Sequence, residues 1–385
     1  MLTLGARNID IEGAADNARS TVFRLGRAGD IGSGPTDALL FAPGDERPGE
    51  HTVFALQGQA NEARSSSARR LVVLPDAFDY LQPGDVLSVA WERPAVRVLY
   101  RRNSPSNSFL LTERCNHYCL MCSQPPKDVN DDWIVDELFE AIPLIDPDTR
   151  EIGFTGGEPT LLGDRLIGLI HAAKHHLPKT ALHILSNGRG FGDLAFTRRY
   201  AAIDHHDVML GIPIYSASSQ LHDYIVQADG AFDETIRGIL NLKTFGQRVE
   251  LRVVIHRANY AMLEDLAEFI ARNLTFADHV ALMGLEMTGF AKANIDELWV
   301  DPVEYQRQLR SAVSILDDFG LRVSIYNHQL CTLDRAIWPF AVKSISDWKN
   351  EYRGECSECI VADQCGGFFA TGRIRQSSHI TAIRA

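Results

Sequence analysis

From residue 108 onward, short apolar runs suited to strands alternate with longer segments patterned as helices, and this alternation constrains the fold of the 385-residue chain more than any other feature. FLLT (Phe109–Thr112), EIGF (Glu151–Phe154), LHILS (Leu182–Ser186), VMLGIPI (Val208–Ile214), VELRVVI (Val249–Ile255) and HVALMGL (His279–Leu285) read as six strands. Helices are expected around Trp133–Ile145, Gly163–His176, Leu194–Ala202, Phe232–Phe245, Met262–Arg272 and Val303–Phe319, and LRVSI (Leu321–Ile325) is a candidate seventh strand. Such alternation implies α/β architecture: a parallel sheet with right-handed crossovers. Ligands on such sheets bind at the C-terminal strand ends.

Before residue 108 the texture differs. HTVFAL (His51–Leu56), RLVVL (Arg70–Leu74), DVLSVAW (Asp85–Trp91) and VRVLY (Val96–Tyr100) are short β segments between Gly/Pro turns, with Ala63–Arg69 expected as a loop. The expected division is a small β-rich domain over 1–107, the α/β unit over 108–320 and a Cys-rich unit over 321–385. The arginines at 64, 69, 70, 93, 97, 101 and 102 are expected on a solvated face. Net charge is −12, which argues against extended nucleic-acid binding. No apolar run reaches 18 residues and no basic-then-apolar leader opens the chain, so neither a membrane span nor a secretory signal is expected.

Seven cysteines fall in two groups, Cys115, Cys119 and Cys122, then Cys331, Cys356, Cys359 and Cys365. Tight clusters in a long chain without a leader read as metal ligands in a reducing, cytoplasmic setting rather than a disulfide framework. The first group, LLTERCNHYCLMCSQPP, has C-x3-C-x2-C spacing directly after a strand. Three thiolates leave one iron of a cubane without a protein ligand, and three cysteines make a poor structural zinc site, which wants four. His117 lies between two of the cysteines, an awkward place for a fourth ligand. The second group can satisfy either Zn²⁺ or a whole [4Fe-4S] cluster. A non-catalytic zinc protein therefore stays open on ligand chemistry alone.

FTGGEPTLL (Phe154–Leu162) follows the second strand; its paired glycines permit close backbone approach and Glu158 can accept hydrogen bonds from an ammonium group. Ser186, Asn187 and Gly188 close the third strand, Pro213–Ser216 the fourth, Arg252 lies in the fifth and Glu286 falls at the end of the sixth. Taken singly each is an ordinary turn or ion-pair residue.

C-x3-C-x2-C after the first strand with Gly-Gly-Glu one unit later resembles the radical S-adenosylmethionine (SAM) superfamily. That resemblance implies a partial (β/α)6 barrel and a SAM-cleaving [4Fe-4S] cluster on Cys115, Cys119 and Cys122. It also implies reductive cleavage of SAM to methionine and a 5′-deoxyadenosyl radical. Gly156, Gly157 and Glu158 are then expected at the methionine amino group, with Ser186, Asn187, Tyr215 and Arg252 as further SAM contacts. Met121 stands where the family usually has an aromatic residue; its backbone is expected at the adenine, with Tyr118 nearby for stacking. A C-terminal auxiliary [4Fe-4S] cluster on Cys331, Cys356, Cys359 and Cys365 is implied likewise. More narrowly, TERCNHYCLMCSQPPK, NHQLCTLD (Asn327–Asp334) and DWKNEYRGECSECIVADQCGGFF (Asp347–Phe369) resemble the C-type maturase of the His-Xaa-Ser peptide system. This implies a ribosomally made precursor peptide as substrate, an electron donor such as flavodoxin or ferredoxin, and a second radical SAM maturase as partner. The alternative is a radical SAM enzyme acting on a nucleoside, RNA or small metabolite.

Overall fold

The computed structural model describes residues 4–13, 19–29, 31–32, 34–45, 51–64, 70–343 and 351–384. Residues 65–69 of the expected loop, Arg69 among them, and 347–350 of the C-terminal string lie outside the described residues. The chain forms two compact units: residues 1–109, 132–152 and 168–181, and residues 110–131, 153–167 and 182–385.

The first unit holds an eight-stranded sheet. Its strands are β1 (Gly5–Arg7), β2 (Asp10–Gly13), β3 (Ser20–Gly26), β4 (Asp37–Leu40), β5 (Thr52–Leu56), β6 (Arg70–Leu74), β7 (Val86–Ala90) and β8 (Ala95–Tyr100), in the order β1-β8-β7-β3-β4-β5-β6-β2. β3 to β6 pair in parallel, while the pairs that add β7, β8, β1 and β2 are antiparallel. Both faces are covered: Phe54, Val72 and Leu74 join one apolar cluster, while Val53, Leu71 and Val73 join another beneath the short helix α1 (Ala60–Arg64). Strands buried on both faces read as unbroken apolar runs.

The helix α2 (Asp132–Ala141) belongs to this same unit and packs there through Trp133, which lies between the guanidinium groups of Arg19 (5.0 Å) and Arg97 (4.3 Å). Arg97 also pairs with buried Glu137. The expectation of a solvated arginine face is thus corrected at Arg97, whose ionisation burial pulls down to about 10, and at Arg70, which is buried over Trp91.

The second sheet has seven strands in chain order: β9 (Asn107–Leu110), β10 (Glu151–Thr155), β11 (Ala181–Leu185), β12 (Val208–Pro213), β13 (Arg248–Ile255), β14 (His279–Gly284) and β15 (Val323–Tyr326). The pairs from β11 to β15 are parallel and in sequence, giving the curled sheet of a partial (β/α) barrel. The candidate seventh strand takes its place beside β14. The crossovers carry α3 (Asp164–His176), α4 (Leu194–Ala201), α5 (Ser219–Val226), α6 (Ala231–Thr244), α7 (Leu263–Asn273), α8 (Gly289–Ala293), α9 (Ile295–Leu298) and α10 (Gln306–Asp318). Alternation along β13 shows the two faces: Val249, Leu251, Val253 and Ile255 are at most 1% exposed, while Arg252 and Val254 on the other face are partly open. No helix among the described residues is long and apolar enough to cross a membrane.

Candidate functional site

The C-x3-C-x2-C segment leaves the end of β9 as a loop tied down on every side. At its neck the buried carboxylate of Asp131 accepts hydrogen bonds from Thr112 Oγ1 (2.8 Å), the Glu113 amide and Arg114 Nε (3.0 Å), and Lys127 N donates to Glu113 O (2.9 Å). Farther out, Tyr118 N and Leu120 N donate to Val226 O (3.1 Å) and Ile225 O (2.9 Å) at the end of α5. Phe290 N of α8 donates to Cys122 O (2.8 Å) and Asn294 Nδ2 to Leu120 O (2.9 Å). Gly289, absent from the sequence reading, has φ +51° and a position where a Cβ would sit 2.5 Å from Cys122 O. Only its place just past a strand end could have singled it out.

The Gly-Gly-Glu turn after β10 lies against this neck. Gly157 N donates to Thr112 O and Glu158 N to Arg114 O, both at 2.8 Å. A Cβ on Gly156 (φ +144°) would lie 2.4 Å from Thr112 O, and one on Gly157 2.0 Å from Arg114 O. The glycines thus serve the close approach of two backbone segments. Glu158 is wholly buried, and its carboxylate accepts from Thr160 N (2.9 Å), Thr160 Oγ1 (2.6 Å), Ser186 Oγ (2.8 Å) and Asn187 N (2.6 Å). Burial pushes its pKa up against those four donors. Asn187 in turn reaches Asn116 of the cysteine loop through Nδ2 (2.6 Å). Gly156, Gly157, Glu158, Ser186 and Asn187 therefore form one network with the loop.

Met121 and Tyr215 come together in an apolar cluster with Ile225, Val226 and Leu298. Burial raises the Tyr215 hydroxyl well above its ordinary range; thiolate charge at Cys119 and Cys122 acts in the same direction, and Arg252 opposes it. These groups thus share one neighbourhood. The hydrogen bonds of Arg252 go to Glu250 Oε1 (2.7 Å) and Met283 Sδ (3.3 Å). Tyr118 is 52% exposed.

All seven cysteines are free thiols. Burial raises Cys115 to about 11, with Glu158 and Cys122 adding to the effect; Cys119 is pushed higher still by burial, Cys122 and Cys115, and burial also raises Cys122. Three partly buried thiols, of which Cys122 opposes ionisation of Cys115 and Cys119, suit a cationic iron cluster, which makes the thiolate forms favourable. Nearby, His117, His222 and His256 are buried, and the Nε2 of each lacks a hydrogen-bond partner among the described residues. Burial lowers them to about 3, 4 and 4, so all are neutral at pH 7.

In the C-terminal segment Cys331, Cys356, Cys359 and Cys365 line one apolar recess with Leu330, Val361 and Phe368. Leu330 N and Gly367 N approach Cys365 Sγ at 3.4 and 3.5 Å, and burial, then Cys365 and Cys356, raise the Cys331 thiol. The four-thiol donor set with N–H groups directed at sulfur fits a cluster or zinc.

Residues 109–270 match the model of the radical SAM superfamily. The match runs from strand β9 to helix α7. Among solved structures, the chain resembles Streptococcus suis SuiB bound to S-adenosylmethionine, at 16% identity over 58% of this chain and 51% of that one (TM-score 0.46). It also resembles anSMEcpe with bound AdoMet, at 17% identity over 57% and 62% (TM-score 0.44). A radical SAM methyltransferase from Sphaerobacter thermophilus matches at 16% identity over 63% and 72% (TM-score 0.45). The chain spans about half the length of SuiB.

Proposed function

We propose that this radical SAM enzyme modifies a ribosomally made peptide, as a maturase similar to the C-type enzyme of the His-Xaa-Ser system. The string CNHYCLMCSQPP together with the CGGFF end (Cys365–Phe369) carries this reading. We assign the SAM-cleaving [4Fe-4S] cluster to Cys115, Cys119 and Cys122 and an auxiliary [4Fe-4S] cluster to Cys331, Cys356, Cys359 and Cys365. Bound to its cluster and SAM, the domain has available a 5′-deoxyadenosyl radical able to abstract hydrogen.

The chain's own residues position and shield. The Asp131 neck and the contacts from α5 and α8 hold the three thiols in one loop. Gly156, Gly157, Glu158, Ser186 and Asn187 form the wall for the methionine end of SAM. Glu158 takes an ammonium only on Oε2, which has one donor where Oε1 has three. Met121 and Tyr215 close the apolar side that excludes water, and Arg252 supplies a nearby cation. We place the functional divisions at 1–107, 108–320 and 321–385, with the exposed edge strands β1 and β2 available to a leader peptide by strand addition. A reducing cytoplasm with flavodoxin or ferredoxin as donor, and a second radical SAM maturase as partner, complete the reading.

The test is anaerobic reaction of reconstituted protein with SAM, reductant and a short peptide carrying repeated His-Xaa-Ser. A mass change in the peptide is expected, with about eight irons per chain. Cys119→Ala abolishes 5′-deoxyadenosine; if cleavage persists in that variant, the cluster assignment fails. Cys359→Ala yields 5′-deoxyadenosine without finished product if the second cluster accepts an electron from the substrate radical. Unchanged product yield removes that role.

A further inference from the structure

A second concavity opens at the same C-terminal strand edge, away from the cysteine loop. Ile255, Gly284 and Asn327, at or just past the ends of β13, β14 and β15, line it, and residues between 366 and 377 close over it, leaving about 710 Å³ with its open mouth included. Its walls are Met287, Trp299, Val300, Tyr305, Phe368 and Phe369. Tyr305 offers only its ring. Its hydroxyl is bonded to His328 Nε2 (2.8 Å), and His328 Nδ1 donates to Tyr326 O (2.8 Å). The polar side chains of the floor are engaged as well: Gln329 Nε2 donates to Gly367 O (2.8 Å) and Asn327 Nδ2 to Gly284 O (3.2 Å). What remains is a chamber with apolar walls and a polar portion to which Gln376, Ser377 and Arg375 contribute.

One cation stands among the lining residues, Arg375. Its guanidinium lies over Trp299, 5.4 Å from the ring centre, and Nη2 pairs with Asp296 Oδ1 at 2.9 Å. Asp296 is 84% exposed, and a pair of that kind holds its partner weakly, so an incoming carboxylate can take its place. The chamber is also joined to the cysteine loop through one stretch of chain. Phe290, Asn294 and Leu298 touch Cys122, Leu120 and the Met121 cluster, and the next residues, Trp299 and Val300, are chamber wall.

We propose that this chamber anchors the substrate peptide, taking a large apolar or aromatic side chain whose neighbouring carboxylate meets Arg375. The inference rests on the peptide-maturase reading above. The carboxylate belongs either to the chain terminus of the peptide or to an adjacent acidic residue.

Binding is measured by ligand-observed NMR on the full-length reconstituted protein without SAM or reductant. The probes are N-acetyl-phenylalanine, its amide, N-acetyl-Phe-Asp-amide and N-acetyl-alanine. The phenylalanine acid binds at least ten-fold tighter than the alanine acid, and about five-fold tighter than its own amide, the size of one exposed charge pair. Arg375→Gln removes the second difference and leaves the first. Tighter binding of the Phe-Asp-amide than of the phenylalanine acid assigns the carboxylate to a side chain; the reverse assigns it to a terminus. Gly372 lines the chamber and a Cβ there meets nothing within 4 Å, so Gly372→Leu narrows the open space without a packing clash and is expected to weaken binding of the phenylalanine probes at least ten-fold. Equal binding of the phenylalanine and alanine acids, or binding untouched by Gly372→Leu, overturns the assignment. Because the assay needs no SAM cleavage, its failure leaves the catalytic reading standing. Conversely, intact probe binding in a protein that makes no 5′-deoxyadenosine sinks that reading alone.

Discussion

At Gly157 an added methyl group has nowhere to go. The obstacle at 2.0 Å is the backbone carbonyl of Arg114, which cannot swing aside as a side chain can. Gly157→Ala must therefore push the Gly-Gly-Glu turn away from the neck of the cysteine loop, breaking the paired hydrogen bonds at 2.8 Å. Overpacking of this kind costs about 3 kcal/mol. The expected result is a lower melting temperature and iron uptake at the first cluster well below that of the parent on reconstitution; uptake equal to the parent's would contradict it. Glu158 shows where reading single residues reaches its limit. Its presence after two glycines points to a ligand-binding carboxylate, but nothing in the string reveals that Thr160, Ser186 and Asn187 converge on it, because two of those partners come from a different strand end. The three buried histidines were equally out of reach, since burial of an imidazole is a property of the packed fold.

Among elements, α2 depends on one buried charge. Glu137 is 5% exposed and is met by Arg97 of β8, while Trp133 one turn earlier lies between two guanidinium groups. Glu137→Gln keeps the shape and removes the charge, leaving Arg97 partly buried without its counter-ion. The expected cost is about 2 kcal/mol, below that of a fully buried pair because the Arg97 side chain is 35% exposed. It is read as a fall in melting temperature that Arg97→Met on the same background partly restores; no fall on Glu137→Gln would refute the role of the pair. The elements found in the sequence are those whose pattern is strong on its own. RLVVL and TVFAL are buried on both faces, and the barrel strands alternate with helices long enough to show their period. Most of those missed had little pattern to offer: β1 and β2 are three- and four-residue, mostly exposed edge strands, β4 has four residues, α1 five and α5 eight, but β3 is a seven-residue strand whose apolar run, TVFRL, was there to be read. The cysteine loop was legible because spacing alone specifies it, whereas its clamps from α5 and α8 come from residues more than 100 positions downstream.

For the whole molecule, buried neutral histidines set an acid limit on stability. His222, His256 and His328 each have their pKa brought down to about 4 by burial, from an ordinary value of 6.5. The unfolded chain therefore binds protons that the native state refuses. Stability contributed by these groups is full above pH 6.5 and is lost as pH falls, until the folded groups titrate near pH 4. Within that window each contributes a slope of about 1.4 kcal/mol per pH unit. The melting temperature is thus expected to fall steeply from pH 6.5 to 4. His328 isolates one contribution: its Nε2 must stay unprotonated to accept from Tyr305, and protonation removes that bond inside a fully buried site. His328→Gln lowers the melting temperature at pH 7.5, where the native imidazole is well fitted. It also makes the acid slope shallower by one group's share, since glutamine takes up no proton on unfolding. Parent and variant are compared in the same cluster-loaded state, so that acid loss of iron affects both alike. Parallel melting curves for the two across pH 6.5 to 4 would mean that His328 titrates no differently in the folded chain, and that the acid limit arises elsewhere.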